Sequence, residues 1–153
     1  MFLRITINIM NINFSIIEQL RTLSLTTTYP KASIAAALVY RNKVISFGVN
    51  QLKTHPYQKK YGRNKDSIFW HAETNAIYTA DKVLNFDKIN KCTLYVVRTK
   101  WDGAGKQNLI YGNSKCCDWC MECIKDYGIK SVIYTMDEDK FGKQYGIIQL
   151  WIK

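Results

Sequence analysis

The chain has 153 residues, 47% hydrophobic and 22% charged, a size and balance that predict one domain over residues 1–153 with its own core. No apolar run reaches the 18 residues of a membrane helix, so we expect no membrane partner. Five cysteines in a chain of this length argue against a secreted disulfide scaffold, and we expect reduced thiols in the cytoplasm. The formal net charge of +10 favours an anionic partner, such as a phosphate-bearing metabolite or a nucleic acid.

The N-terminal region predicts one helix and a segment that precedes it. In residues 1–13, isoleucines that alternate with polar residues indicate either a short strand or an N-terminal extension. The stretch FSIIEQLRTLSL (14–25) carries apolar residues at helical spacing, which predicts the first helix. Ser15 is followed three residues later by Glu18, as in a capping box, so Ser15 is the expected N-cap.

Two β-prone runs come next, ASIAAALVY (32–40) and KVISFGVN (43–50). Only Arg41 and Asn42 separate them, which predicts a hairpin. The polar stretch QLKTHPYQKKYGRNKD (51–66) is predicted to be a loop. Its lysines are interleaved with tyrosines, so it is either a solvated basic loop, a grip for the phosphate of a mononucleotide, or a stacking platform for single-stranded nucleic acid.

Helices and strands alternate over the rest of the chain. In chain order we predict a helix over 70–83, a strand over 92–98, a long loop over 99–115, a helix over 117–126 that stops at Gly128, a strand over 130–135, and a last strand or docked tail over 146–153. The order α-β-β-α-β-α-β predicts an α/β fold. We expect a three-layer αβα sandwich, in which a mixed central sheet of about five strands has helices on both faces.

Four of the five cysteines lie in one short segment, SKCCDWCMEC. Cys117 and Cys120 form a Cys-x-x-Cys pair at a predicted helix start, where residues three apart share a face and the helix end favours thiolates. His71, one of only two histidines, opens the preceding helix. These three residues could make three bonds to Zn²⁺ and leave the fourth position open for water, as in catalytic zinc sites. A closed four-ligand site that includes Cys116 or Cys123 is the alternative.

Glu73 follows His71 by two residues, so a metal held by His71 would have this carboxylate beside it. Zinc lowers the pKa of a bound water to roughly 7, and a neighbouring carboxylate can take a proton from that water and return it to a substrate nitrogen. Glu73 is therefore the predicted catalytic residue. The pattern H-x-E followed by P-C-x-x-C is an established signature of zinc-dependent nucleobase deaminases, and this chain matches it except at the proline.

The segments HAETNAI and NSKCCDWCMECIKDYGIKSVIY resemble the cytidine/deoxycytidylate deaminase superfamily, and the form H-A-E-x-N-A-I resembles its deoxycytidylate branch most. The resemblance implies that Zn²⁺ is bound by His71, Cys117 and Cys120, with Glu73 as the proton shuttle. It also implies hydrolytic deamination of a cytosine mononucleotide, dCMP to dUMP plus ammonia. One departure stands out, because Cys116 occupies the position where the family has proline.

Six residues are predicted to contact the substrate: Asn50, Lys53, His55, Ala72, Trp119 and Tyr134. The resemblance implies that Asn50, which ends the second strand, contacts the sugar. Trp119, between the two cysteine ligands, is expected to wall the pocket. Lys53 and His55 lie in the basic loop, where they would contact the phosphate or the base. Tyr134 either stacks on a base or is an ordinary strand residue.

Other substrates and one other class of function stay open on the sequence alone. The same chemistry could act on a base within single-stranded DNA, RNA or tRNA, or on a free nucleoside or base. A zinc-stabilised binding module without catalysis would need the closed four-ligand site. From the habit of the family we also expect a homo-oligomer.

Overall fold

Helices and strands alternate in the computed structural model, which describes residues 12–29, 32–61, 69–102, 108–137 and 145–149. The helices in these ranges are α1 (Phe14–Ser24), α2 (Pro56–Tyr61), α3 (Ala72–Asp81), α4 (Phe86–Ile89) and α5 (Asp118–Asp126). The strands are β1 (Ser33–Tyr40), β2 (Lys43–Val49), β3 (Gln51–Thr54), β4 (Phe69–Trp70), β5 (Thr93–Asp102), β6 (Asn108–Gly112), β7 (Ser131–Thr135) and β8 (Tyr145–Gln149). None of the helices described is both long and apolar enough to cross a membrane.

Within the described residues, the central sheet is mixed and has six strands, where about five were expected. Five of them follow the order β2-β1-β5-β7-β8, and β6 pairs with the C-terminal part of β5. The β5–β7 pair is parallel and the other pairs are antiparallel. On β5, Arg98 pairs with Ile34 of β1 on one side and with Gly112 of β6 on the other. Strands β6 and β7 therefore pair along the same edge of β5, opposite β1. Strand β7 pairs with the first part of β5, and β6 pairs with its last part.

The core lies on both faces of the sheet, because neighbouring residues of a strand point to opposite faces. One face packs on α1 through Ala35, Ala37, Val39, Tyr95, Val97 and Ile133. The other packs on α3 and α5 through Ala36, Leu38, Leu94, Val96 and Val132. This arrangement confirms the predicted α/β fold with helices on both faces of a mixed sheet.

Backbone conformation at two turns agrees with the sequence. Arg41 and Asn42 have φ values of 49° and 63°, and two positive φ values at the central residues are typical of a tight β-hairpin turn. Gly128 has φ of 69° just past α5, where a left-handed residue commonly ends a helix. Both the predicted hairpin and the predicted helix stop are therefore confirmed.

Ser15 is not the N-cap of the first helix, contrary to the prediction. The helix begins at Phe14 and its N-cap is Asn13, whose Oδ1 accepts a hydrogen bond from the backbone N–H of Ile16 at 3.3 Å. Ser15 is then an exposed residue of the first turn. Asparagine caps a helix as well as serine does, and the bond from Ile16 shows that Asn13 has this role.

Both predicted loops contain regular structure. Within 51–66, strand β3 and helix α2 occupy Gln51–Tyr61 and residues 62–66 lie outside the described ranges. Within 99–115, β5 continues to Asp102 and β6 returns along it, with residues 103–107 also outside. The prediction for 51–66 was wrong because β3 is mostly exposed and α2 buries only Gln58 and Tyr61. Neither element therefore shows a clear apolar period in the sequence.

One short element differs from the predictions. The short helix α4 was not predicted, and the last predicted element is a strand over Tyr145–Gln149. Residues 150–153 of that element lie outside the described ranges. So does most of the strand or extension predicted over 1–13, since the description begins at residue 12.

Candidate active site

Two helix starts position the predicted metal ligands. His71 is the residue before α3 and adopts an extended backbone, φ −79° and ψ 153°. Cys117 has the same place before α5, with φ −68° and ψ 165°, and Cys120 lies in the first turn of that helix. Helix N-termini favour negatively charged groups, so the cysteines lie where thiolates are stabilised.

The ligand atoms of His71, Cys117 and Cys120 lie within 4.8 Å of one another. Nδ1 of His71 is 3.7 Å from Sγ of Cys117 and 3.3 Å from Sγ of Cys120. A tetrahedral zinc ion, with bonds of about 2.0–2.1 Å to nitrogen and 2.3 Å to sulfur, would hold such atoms about 3.5 Å apart. One nitrogen and two sulfurs are also the donors that zinc prefers, so these residues fit the ion.

The contact between the two thiols moves their pKa values in opposite directions. Cys117 accepts a hydrogen bond from Cys120, and with the help of His71 this lowers the pKa of Cys117 to about 4. The same contact, together with burial, raises the pKa of Cys120 well above its usual value. The lowered pKa of Cys117 favours its thiolate form, which is the form that binds a metal.

Glu73 lies in the first turn of α3 and is only 5% exposed. Burial raises the pKa of its carboxyl, and the neighbouring His71 partly opposes that effect. The carboxyl is close enough to hydrogen-bond Cys116 and Cys120, so it lies beside the three candidate ligands. A carboxyl in such a setting is suited to accept and release a proton.

A cavity of about 440 Å³ opens onto this group of side chains. His71, Glu73 and Cys117 lie in its wall. Four aromatic residues also line it: Tyr29, Phe69, Trp70 and Trp119. The size is within the range of small-molecule sites, which are commonly lined by aromatic groups and a few polar ones.

Three of the six predicted substrate contacts line the cavity: Asn50, Ala72 and Trp119. The side chain of Asn50 is engaged in the protein, where Oδ1 accepts from the N–H of Ile34 at 3.0 Å and Nδ2 donates to the carbonyl of Ala32 at 2.8 Å. The hydroxyl of Thr27 also lies 2.5 Å from Oδ1. Asn50 therefore braces the chain around the cavity, as well as facing it.

The other three predicted contacts, Lys53, His55 and Tyr134, are not in the lining of this cavity. The ring of His55 stacks on Trp70 at 3.9 Å, and Nζ of Lys53 lies 5.5 Å from the centre of the same indole. Burial and the charge of Lys53 lower the pKa of His55, so its imidazole is held neutral. Tyr134 is half-buried and packs against the core on the α3 and α5 face.

The two remaining cysteines of the segment are buried and lie outside the ligand group. Cys116 is 7% exposed and Cys123 is fully buried, with its thiol 3.4 Å from the hydroxyl of Tyr57. Among the residues that the structure describes, the group of candidate ligands has three members and neither of these thiols belongs to it. The alternative of a closed four-ligand site with Cys116 or Cys123 finds no support in this arrangement.

The sequence interpretation missed several residues of the site. Arg98, Asn113 and Lys115 line the cavity, and Gln58 hydrogen-bonds the backbone of His71. Arg98 is the last residue of a predicted strand. A charged residue directly after an apolar run is a signal that could have identified it as a site residue. Gln58 gave no signal, because it lies in a polar stretch among exposed residues.

Comparison with known proteins places this site in a family. A family model described as the cytidine and deoxycytidylate deaminase zinc-binding region matches residues 13–136. Among solved structures, a cytidine deaminase from Burkholderia pseudomallei is similar at a TM-score of 0.59 and 15% identity, over 90% of this chain and 92% of that one. The dCMP deaminase of the cyanophage S-TIM5 in apo form gives 0.54 at 19% identity, over 84% and 88%. Its complex with dCMP and dUMP gives 0.52 at 17%, over 86% and 83%.

No curated protein sequence matches the chain. At the identities above, the solved structures show a shared fold. The family match is more specific, since it covers most of the chain and includes His71, Glu73, Cys117 and Cys120. It also agrees with the zinc-compatible donors found at the two helix starts. The chain therefore belongs to the cytidine and deoxycytidylate deaminase family, and it is a zinc-dependent hydrolytic deaminase that acts on a nucleotide or nucleoside.

Proposed function

We propose that the chain deaminates dCMP to dUMP and ammonia, with Glu73 moving the protons of the reaction. The observation that carries this proposal is the buried carboxyl of Glu73, which shares a cavity wall with His71 and Cys117. In the reaction, C4 of cytosine loses its bond to the amino nitrogen and gains a bond to the oxygen of one water. Water is consumed and ammonia released in equal numbers.

The roles of the site residues follow from their positions. When held by His71, Cys117 and Cys120, Zn²⁺ supplies a water acidic enough to act as a nucleophile at neutral pH. Glu73 would accept one proton from this water and give it to N3 of the base. It would then take the second proton, from the hydroxyl group added to C4, and give it to the departing amine. The low exposure of Glu73 keeps bulk water from competing for that proton.

The cavity suits a planar base with a sugar attached. Trp119 and Phe69 offer aromatic walls for the base, and Ala72 leaves room between His71 and Glu73. Asn50 faces the cavity, and its carboxamide is hydrogen-bonded to the backbone of Ala32 and Ile34. A contact with the sugar would use the hydrogen-bonding positions of the carboxamide that these two bonds leave open. Substrate contacts by Asn50, Ala72 and Trp119 are part of the proposal. So are a single domain over 1–153, a homo-oligomeric state and a cytoplasmic location.

Ammonia release from dCMP tests the reaction. Zinc-loaded protein should convert dCMP to dUMP, and Glu73→Gln should lower kcat by about 10²–10⁴-fold, the usual contribution of a general acid–base group, while zinc content stays the same. Glu122→Gln is the matched control, since Glu122 is an exposed glutamate on α5 outside the cavity lining. It should leave kcat unchanged.

The substrates in the same assay separate the alternatives. Deoxycytidine, cytosine and a short single strand of oligodeoxycytidine are tested beside dCMP. Preference for the single strand, or equal activity on deoxycytidine, would contradict the assignment of dCMP. Full activity of Glu73→Gln would contradict the role of the carboxylate.

A further inference from the structure

We propose that Arg98 and Lys115 form the anion-binding end of the cavity and hold the 5′-phosphate of the substrate. This inference rests on the proposed function for the identity of the substrate. Arg98 comes from β5, and Lys115 comes from the segment just before α5. Among the described residues that line the cavity, these two are the side chains with a permanent positive charge, while Glu73 is the carboxyl in that lining.

The guanidinium of Arg98 has hydrogen-bonding capacity to spare. Its Nε is buried and has no hydrogen-bond partner within the described part of the chain. Its Nη1 reaches the carbonyl of Asn113 at 3.5 Å, at the outer limit of a hydrogen bond. A buried N–H without a partner is costly, and most such groups in folded proteins are paired. A phosphate oxygen is the partner that a guanidinium best accommodates, through two parallel N–H···O bonds.

The β5–β6 hairpin holds Arg98 in this place. Arg98 pairs with Gly112, and a Cβ on Gly112 would lie 3.1 Å from Cδ and 3.2 Å from Cγ of the arginine. The absence of a side chain at Gly112 therefore leaves room for the arginine stem across β6. The backbone N–H of Arg98 also donates to Oγ1 of Thr135 at 3.0 Å, so the main chain is anchored while the stem of the side chain lies over Gly112. An arginine anchored in this way loses little further entropy when it binds an anion.

Lys115 adds a second charge close to the reacting end of the cavity. It precedes Cys117 by two residues, and its backbone N–H is held by Oδ1 of Asn113 at 3.0 Å. Asn113 thus contacts the backbone of Lys115 and, through its carbonyl, the guanidinium of Arg98. Lys53 and His55, which the sequence suggested as contacts to the phosphate or the base, instead lie against Trp70.

The binding of dUMP and of deoxyuridine to zinc-loaded protein tests the inference without catalysis. Trp70 and Trp119 line the cavity, so quenching of tryptophan fluorescence reports occupancy. Arg98→Met keeps the length of the stem and removes the charged fork. It should weaken dUMP binding by about 10- to 100-fold, as expected for a lost charged hydrogen bond, and leave deoxyuridine binding unchanged. In turnover, KM for dCMP should rise by a similar factor.

Lys100→Met is the matched control. Lys100 lies two residues along the same strand, carries the same charge and pairs with Asp137 on the exposed surface. Its removal lowers the net charge equally, so any general electrostatic attraction falls by the same amount in both variants. Lys100→Met should change dUMP affinity by less than about 3-fold, because exposed charges are strongly screened. Lys115→Met should give a loss between those of the other two variants.

Three outcomes of the dUMP and deoxyuridine measurements would overturn the inference: equal weakening of dUMP and deoxyuridine binding by Arg98→Met, no weakening of either, or equal losses in Arg98→Met and Lys100→Met. If Arg98→Met weakened only the binding of oligodeoxycytidine, Arg98 would be a contact for a polynucleotide. That result would also overturn the inference. Arg98→Lys, which keeps the charge, covers the case in which Arg98→Met does not fold, and it should show a smaller loss of dUMP binding. If dUMP binds in an Arg98-dependent way but dCMP is not turned over, the proposed function fails and the phosphate site stands.

Discussion

Oε1 of Gln58 accepts a hydrogen bond from the backbone N–H of His71 at 3.2 Å. The same oxygen accepts from the hydroxyl of Thr74, which also lies 3.1 Å from the carbonyl of His71. Gln58 is fully buried on α2, so this carboxamide joins α2 to the start of α3 at the histidine of the metal site. Groups that orient the ligands of a metal commonly affect how tightly the metal is held.

Replacement of this carboxamide should therefore weaken zinc binding. Gln58→Met has a similar volume but cannot accept a hydrogen bond, so the N–H of His71 loses its partner. Loss of such an outer contact typically lowers metal affinity by about 10- to 100-fold, and we expect a value in this range. Competition with a chromogenic chelator measures the affinity, and thermal unfolding with and without zinc measures stability.

Gln19→Met is the control for this substitution, since Gln19 is an exposed glutamine on α1. It should change neither zinc affinity nor unfolding temperature. A purely structural role for Gln58 would lower the unfolding temperature of the metal-free and zinc-loaded protein equally, with zinc affinity intact. That pattern would contradict the positioning role.

Adjacent cysteines should respond differently to the same substitution. Cys117→Ala removes a candidate ligand, and we expect it to lose bound zinc during dialysis against a chelator. Cys116→Ala removes a buried thiol outside the ligand group and should retain one zinc per chain, with a stability loss of roughly 1 kcal/mol from the lost packing. Zinc content by atomic absorption and the free energy of unfolding in urea provide the two measurements.

The pair also tests the register of the Cys-x-x-Cys motif. Cys116 occupies the position at which the family has proline, so an exchange of roles between neighbouring thiols was conceivable from the sequence. Zinc loss in Cys116→Ala together with zinc retention in Cys117→Ala would show that the ligand is Cys116. Loss in both variants would indicate that Cys116 is needed to keep the site intact.

Local patterns made much of this molecule predictable. The hairpin of β1 and β2 follows from two β-prone runs with a two-residue turn, and the Cys-x-x-Cys pair at a helix start depends only on neighbours in the chain. The link of His71 and Glu73 to that pair rested on their residue types and on the family pattern, because nothing local in the sequence places α3 beside α5.

Features that depend on long-range contacts were not predictable in this way. Arg98 reaches the cavity because β6 returns along β5 and places Gly112 opposite it. The stretch between these strands contains glycines and polar residues, which made the whole segment resemble a loop. Gln58 is buried because α2 docks on the start of α3, and no property of its own sequence neighbours signals that contact.

The close contact between β2 and α3 leads to the last prediction. A Cβ on Gly48 would lie 2.4 Å from the carbonyl oxygen of Ala72 and 2.5 Å from the backbone nitrogen of Ala76. Both are backbone atoms of α3, so the helix would have to move to admit even a methyl group. Gly48→Ala should lower the free energy of unfolding by about 1–3 kcal/mol, as overpacking in a core does. Because Ala72 lies between His71 and Glu73, zinc affinity and kcat should fall as well.

Gly128→Ala is the control that distinguishes a local loss of stability from a displacement of the zinc ligands. Gly128 has φ of 69° after α5, and its added Cβ would be 3.2 Å from Cβ of Asn90, away from the cavity lining. This variant should lose roughly 1–2 kcal/mol of stability through the left-handed backbone, with zinc affinity preserved. Urea unfolding and chelator competition on both variants make the comparison. Parent-like zinc affinity in Gly48→Ala, at an equal loss of stability, would show that the start of α3 is not held by its contact with β2.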